Sequence, residues 1–293
     1  MAHLYQVGAG SGGMVVLDLV ARDPRVTRVT IVEPDVYAPH NVYRHLFPPS
    51  AVGRLKAELA AEWLKALRPD LRLEVVVADL TDNSRLADFS RMAAACDIGI
   101  CAVDNEPAKF AFDALMRAAG KPWTLGEVLS GGIGGWVHRF RPGGPCYGCV
   151  ASHLQRSIAE EPTPSPPDYS NPGSAVQETT IPATKASISA IASLHAVATL
   201  ELLGSSPAAF EQDTGHQSPP SLEGKWDGGS GLQGFSSLLF TLAHVPGVFD
   251  EAYRMYRFEV KKSPECLTCS KAPIPAGDLD VAVAEALDRL APE

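Results

Sequence analysis

A chain of 293 residues with a net charge of −9 is long enough to bury a large core, as one big domain or one domain with a sizeable insertion. Its 45% apolar and 20% charged content is that of an ordinary globular protein, and the acidic balance argues against a nucleic-acid partner, which wants a basic face. No run of about 18 apolar residues and no basic-then-apolar leader is seen, so neither a membrane span nor a signal peptide is expected and the chain reads as cytoplasmic.

Residues 3–7 form an apolar first strand that runs into Gly8-Ala9-Gly10-Ser11-Gly12-Gly13. A helix opens at these glycines and ends near Arg22, before Asp23-Pro24. Residues 28–32 form the second strand, closed by Glu33. Pro34, Pro39, Pro48 and Pro49 make 34–50 a loop. The four-residue recurrence of Leu55, Leu59, Trp63 and Leu67 predicts a helix over 51–67 with that stripe buried. A strand over 71–77, a helix over 86–95, a buried strand over 97–103, a helix over 107–119 and a strand over 123–128 follow. Strands alternating with helices imply a doubly wound parallel sheet. Residues 134–140 read as an extended strand outside that rhythm. The proline-rich stretch 160–173 reads as a flexible loop. A long helix is expected over 183–203, irregular chain over 204–235, a late strand over 253–260 and a short terminal helix over 282–290.

Gly8, Gly10 and Gly13 complete a G-x-G-x-x-G pattern between a strand and a helix. The first allows a tight turn, the second lets a phosphate approach the backbone, and the third lets helix and strand pack closely. The helix N-terminus then offers N–H groups and a positive dipole end to phosphates. Glu33 stands where a carboxylate accepts from ribose hydroxyls. In the loop that follows, Arg44 suits bidentate bonding to phosphate and Asn41 suits orienting it. Spacing alone favours the plainer reading, Asn41 as a turn residue and Arg44 as a solvated surface charge. Lys56 lies beside the apolar stripe but off it, where solvent exposure is the default. Asp104 ends a buried strand, the place where open α/β sheets bind ligands, and a carboxylate there suits magnesium on a nucleotide. Its other reading is as the cap of the next helix.

The six cysteines divide into two kinds. Cys96 and Cys101 sit in or beside an apolar strand and read as buried, inert thiols. Cys146, Cys149, Cys266 and Cys269 form two Cys-x-x-Cys pairs, and four thiolates suit a closed tetrahedral zinc site of structural type. The spacer is far longer than in a zinc finger, so the pairs read as a clasp within one fold.

Together these residues resemble the ThiF/MoeB and ubiquitin-activating (HesA/MoeB/ThiF) adenylyltransferase family. The resemblance rests on the glycine loop, Glu33-Pro34-Asp35, Asn41-Val42-Tyr43-Arg44-His45, Gly53-Arg54-Leu55-Lys56-Ala57, Ala102-Val103-Asp104-Asn105, the split cysteine pairs and the late helix ending Leu202-Leu203-Gly204. It implies one Rossmann-like adenylation domain over 1–293. The nucleotide-binding half would be 1–130, and 131–293 an antiparallel C-terminal half with a flexible crossover loop over 157–180 and the zinc clasp. It further implies binding of magnesium-ATP by Gly8, Gly10, Gly12, Gly13, Glu33, Asp35 and Asn41. Arg44 and Lys56 would counter phosphate charge and Asp104 would hold magnesium. The substrate would be the glycine-rich C-terminus of a small ubiquitin-like or sulfur-carrier protein, adenylated with release of pyrophosphate. A homodimer and onward transfer to a conjugating enzyme or sulfur donor are family tendencies.

Three features depart from the family pattern. His45 replaces glutamine, the first residues begin at the first strand with no arginine-bearing arm before it, and the crossover region lacks a cysteine for a thioester. Two other readings fit parts of the pattern. One is an NAD-dependent oxidoreductase, which shares the glycine fingerprint and Glu33; the other is a non-catalytic docking member of the family.

Overall fold

The sheet grows outward from β1 (Ala2–Val7), whose six residues are all buried. Leu4 packs into the core on one face and Tyr5 into the core on the other, because successive strand side chains point to opposite sides. β1 pairs in parallel with β2 (Val26–Val32) and with β4 (Ile98–Cys101). β3 (Arg72–Val76) and β5 (Trp123–Val128) extend the parallel set on either side. β6 (Gly134–Phe140), β7 (Ser237–Thr241) and β8 (Met255–Phe258) then continue it with antiparallel pairings. The strand order is β3-β2-β1-β4-β5-β6-β7-β8. These features come from a computed structural model, which describes residues 1–158, 183–204 and 235–270.

Helices cover both faces, so the sheet is doubly wound. α1 (Gly13–Ala21), α2 (Lys56–Leu67) and α6 (Lys185–Gly204) bury Met14, Leu17, Leu64, Ala192 and Leu202 in one core. α3 (Leu86–Ala95), α4 (Glu106–Ala118) and α5 (Tyr147–Ile158) bury Phe89, Met92, Phe112, Met116 and Tyr147 in the other. Trp123 of β5 stacks on Phe140 of β6 with centroids 3.9 Å apart, which anchors the antiparallel extension to the parallel half.

Four sequence expectations need correction. α2 starts at Lys56, not near residue 51, because Gly53 takes φ +93° and Leu55 stays extended in a bridge to Val36. Its buried face is Lys56, Ala57, Leu59, Ala60 and Leu64. Trp63, expected inside, lies at the edge and donates from Nε1 to Asp18 at 2.8 Å. β7 and α5 had no counterpart in the sequence reading. The late strand spans only four residues. The expected loop over 160–173, nearly all of 204–235 and the helix over 282–290 lie outside the described residues.

α6 is long and apolar enough, by length and composition, to cross a membrane. In the fold it buries Ile188, Ile191, His195 and Leu202 among others. Thr199 and His195 meet Thr124 of β5 at 2.7 and 2.9 Å, so these two buried polar side chains of the helix are satisfied within the protein.

Candidate nucleotide site and cysteine cluster

The sheet's topological switch point lies between β1 and β4, and a crevice opens there at the strands' carboxyl ends. Gly8 follows β1 with φ +92°, and a Cβ on it would lie 2.4 Å from the Ala102 carbonyl oxygen beyond β4. A Cβ on Gly13 would lie 2.4 Å from the Gly8 oxygen. Main chain thus fills the space a side chain would need at both positions. Gly10 faces open space and, with Ser11 and Gly12, borders a cavity of about 560 Å³. Beneath the loop, the buried Gln6 amide donates to the Gly8 and Gly13 oxygens at 2.8 and 2.9 Å. Gln6 escaped the sequence reading, since nothing in a strand pattern marks one buried amide as a brace.

Glu33 ends β2 against this loop and is 4% exposed. Its Oε2 accepts from the Ala9 N–H at 2.6 Å and its Oε1 from the Asp35 N–H at 2.9 Å. Burial pushes its carboxyl up and these two bonds oppose the rise. Each oxygen keeps one lone pair for a ribose hydroxyl. Asp35 turns outward and pairs with Lys56 at 2.7 Å. Lys56, expected in solvent, sits on the buried face of α2, and its ammonium keeps two further donors.

Asn41 is buried in a short 3-10 turn, and its Oδ1 accepts from the Ala38 N–H at 2.9 Å. The turn role is therefore real, and the same residue also lines the cavity. Arg44 lines the cavity too, half-buried, with no partner for its guanidinium among the described residues. His45 is 7% exposed, with Nε2 3.0 Å from the Ala9 oxygen, and burial pulls its ring down to about 4. Its ring lies among Tyr37 and Phe47, which ties the loop after β2 to the glycine loop.

Asp104 follows β4, exposed and lining the cavity, and its carboxylate has no partner among the described residues. The helix cap considered for it belongs to Asn105, whose Oδ1 accepts from the Ala108 N–H at 2.9 Å. Asp104 is thereby left to face the cavity.

Lys109 and Glu127 also line the cavity and were missed. Lys109 is 5% exposed and pairs with Glu127 and, at 2.7 Å, with Glu106. Buried His138 reaches Glu127 from β6 at 3.2 Å. Burial pushes the Glu127 carboxyl up, but the His138 ring and the Lys109 ammonium outweigh it and hold it at about 2. Glu127 lies near the carboxyl end of β5, so the rule that singled out Asp104 could have found it.

The four expected cysteines do converge. Cys146 and Cys149 stand at the start of α5, and Cys266 and Cys269 follow β8. Their sulfurs all lie within 4.8 Å of one another, with pairs at 3.8, 3.5 and 3.6 Å. A tetrahedral site with Zn–S near 2.3 Å has S···S edges of about 3.8 Å, so the residues fit a closed four-thiolate metal site. The Ser263 N–H points at Cys149 Sγ from 3.4 Å, as an outer-shell donor to a thiolate does. Gly148 lets the claws interleave, since a Cβ there would meet Thr268 Oγ1 at 2.2 Å. Cys96 and Cys101 are fully buried, and burial raises both thiols to about 12.

A model of the ThiF family matches residues 2–221. The chain belongs to the ThiF family. Among curated proteins it is 33% identical over 155 residues to the sulfur carrier protein adenylyltransferase of Thermus thermophilus, covering 51% of this chain and 55% of that protein. It is 29% identical over 150 residues to the SAMP-activating enzyme E1 of Haloferax volcanii, covering 51% and 53%. Ubiquitin-like modifier-activating enzyme 5 of Caenorhabditis briggsae is 26% identical over 165 residues, covering 54% and 38%. The chain spans about half the length of the first two relatives and less of the third. Among solved structures, Escherichia coli MccB with ATP superimposes with a TM-score of 0.60 at 15% identity, covering 92% of this chain and 67% of that one. At that identity the likeness is one of fold.

Proposed function

We propose that this ThiF-family chain binds magnesium-ATP at the switch point and adenylates the C-terminal carboxylate of a small ubiquitin-like or sulfur-carrier protein. The observation that carries the reading is the pairing of an unpartnered guanidinium, Arg44, with an unpartnered carboxylate, Asp104, on the cavity bordered by the glycine loop. A cation and an acid held without protein partners suit a polyphosphate and its divalent ion. Hydride transfer gives them no work. The names of the relatives, a sulfur carrier protein adenylyltransferase and a SAMP-activating enzyme E1, point the same way.

The chemistry follows from these groups. The tail carboxylate is already ionised at neutral pH and needs no general base. One of its oxygens attacks the α-phosphorus, the bond to the β-phosphate oxygen breaks, and pyrophosphate leaves with that electron pair. Arg44 and the remaining donors of Lys56 counter the charge that builds on the phosphate oxygens. Asp104 would hold magnesium, which neutralises the leaving pyrophosphate. Glu33 and Asp35 bracket the ribose side, and Asn41 with the Gly8–Gly13 loop orients the phosphates. Cys146, Cys149, Cys266 and Cys269 would hold zinc as a structural clasp, with no open position for substrate. All six cysteines are thereby accounted for, two buried and four clustered. The product on this chain is therefore the acyl-adenylate without a thioester, handed to a conjugating enzyme or sulfur donor. We assign these parts to one adenylation domain that works as the family's usual homodimer.

Calorimetry with magnesium-ATP and with NADH tests the site. Binding of magnesium-ATP that weakens in Arg44→Ala and Asp104→Ala supports the reading. NADH binding with no response to ATP would overturn it in favour of an oxidoreductase.

A further inference from the structure

One buried cation is left unexplained by the residues above. Lys185 opens α6, and its Nζ is shielded from solvent with no hydrogen-bond partner among the described residues. An ammonium carries three donors and a full charge, and holding it out of water unanswered is costly. Burial accordingly pulls the Lys185 ammonium below the ordinary lysine range.

Its surroundings say what would answer it. Ala183 and Ile188 line the glycine-loop cavity. Ile188 lies one turn along α6 from Lys185, on the same face of the helix, and its Cγ2 would be 3.6 Å from a Cβ placed on Gly12. The Lys185 charge acts on the His45 ring. That ring touches Ala9 through Nε2, and its Nδ1 is likewise buried without a partner. Nε2 donates to the Ala9 oxygen, so Nδ1 of the neutral ring is a lone pair without a donor, and the unanswered ammonium acts on the ring that braces the glycine loop. Glu33 is held by the Ala9 and Asp35 N–H groups and Asp35 by Lys56, and no hydrogen bond joins Lys185 to either of them or to Asp104. Among the described residues no group answers the ammonium, and the glycine loop is of the kind that seats phosphate.

We propose that Lys185 is a further anion-binding residue of this cavity, its ammonium kept for a phosphate oxygen of the nucleotide seated on the glycine loop. The proposal rests on the nucleotide reading of the cavity. It adds a third cation to Arg44 and Lys56, supplied by the helix of the C-terminal half.

The test compares the native chain with Lys185→Met and Lys185→Arg. Calorimetry measures magnesium-ATP and adenosine binding, and thermal melts measure the free proteins. Lys185→Met removes an unanswered charge but keeps the side-chain volume. It should melt no lower than the native chain when free, bind magnesium-ATP about tenfold more weakly and bind adenosine as before. Lys185→Arg should keep most of the affinity. Native-like binding of magnesium-ATP by Lys185→Met would overturn the assignment while leaving the nucleotide site intact. So would a lower melting point for free Lys185→Met with unchanged binding, which would mark the residue as a packing element. A native chain that binds no magnesium-ATP would overturn the nucleotide reading itself, and this inference with it.

Discussion

The Tyr147 hydroxyl bonds both carboxylate oxygens of Glu106, at 3.0 and 2.9 Å. Tyr147 lies between Cys146 and Cys149, and Glu106 pairs at 2.7 Å with Lys109 on the cavity wall. Asp113 of α4 reinforces the link, accepting from the Tyr147 N–H at 3.0 Å. The cysteine cluster and the cavity are thus joined through α4 by two successive polar contacts.

Removing the metal should therefore be felt at the nucleotide site. A chelator is expected to lower the melting midpoint by roughly 5 °C or more, since each kcal/mol is worth about 2–4 °C in a domain of this size. It should also weaken magnesium-ATP binding. Tyr147→Phe should leave the metal bound, by a thiol-counting assay, yet weaken the nucleotide by about threefold through the loss of one charge-assisted bond. A melt indifferent to chelation would mean that the four sulfurs hold no metal.

Gly8 and Gly10 should separate fold from function. Gly8→Ala combines φ +92° with a 2.4 Å approach to the Ala102 oxygen. It is expected to cost about 3 kcal/mol or more in denaturant unfolding. Gly10 has open space where a Cβ would go. Gly10→Ala should unfold within about 1 kcal/mol of the native chain but bind magnesium-ATP poorly. A normal nucleotide affinity in Gly10→Ala would place the phosphates elsewhere.

Lys56 and Asp104 should matter through charge. Lys56→Ala and Asp104→Ala are each expected to lower kcat/KM for adenylation by about 10²–10³. Asp35→Asn removes the charge that pairs with Lys56 but keeps a polar group on the ribose side, and should lower it by about tenfold or less. Steady-state kinetics that rank Asp35→Asn as the most damaged would contradict the roles assigned.

Stability should fall as the pH drops from about 6.5 toward 4. Burial pulls His45 and His195 to about 4, below the ordinary 6.5 of the unfolded chain. Between these values the unfolded state binds protons that the folded state does not. Stability is therefore full above pH 6.5 and lost on acidification through this window, at up to about 1.4 kcal/mol per pH unit for each histidine. Glu127, held at about 2, adds its own loss only below its ordinary value of 4.5. Urea midpoints at pH 7 and pH 5 measure the slope, and His195→Gln should flatten it. A flat native profile would contradict the burial argument.

What the sequence made legible was local. Gly8, Gly13 and the following helix are written as one pattern within a single βαβ unit, although Ala102 beyond β4 also closes on both glycines, and the four cysteines carry their chemistry in their side chains. The environment of Lys56 was not legible, because it depends on where α2 begins, and a positive φ at Gly53 sets that. The Lys109–Glu127–His138 set was hidden for a different reason. Its members come from α4, β5 and β6, and only the sheet order brings them together. β7 follows a Gly- and Pro-rich stretch, and its pairing with β6 is set by the sheet, not by its own five residues.

The central claim is that this chain activates a carboxylate at the α-phosphate of ATP, and ATP–pyrophosphate exchange measures that step directly. With magnesium, ATP, labelled pyrophosphate and a glycine-tailed small partner protein, exchange should rise well above background. It should vanish when the partner's terminal glycine is removed and collapse in Asp104→Ala. Exchange that stays at background with its cognate partner present, while the same preparation binds magnesium-ATP, would contradict the account.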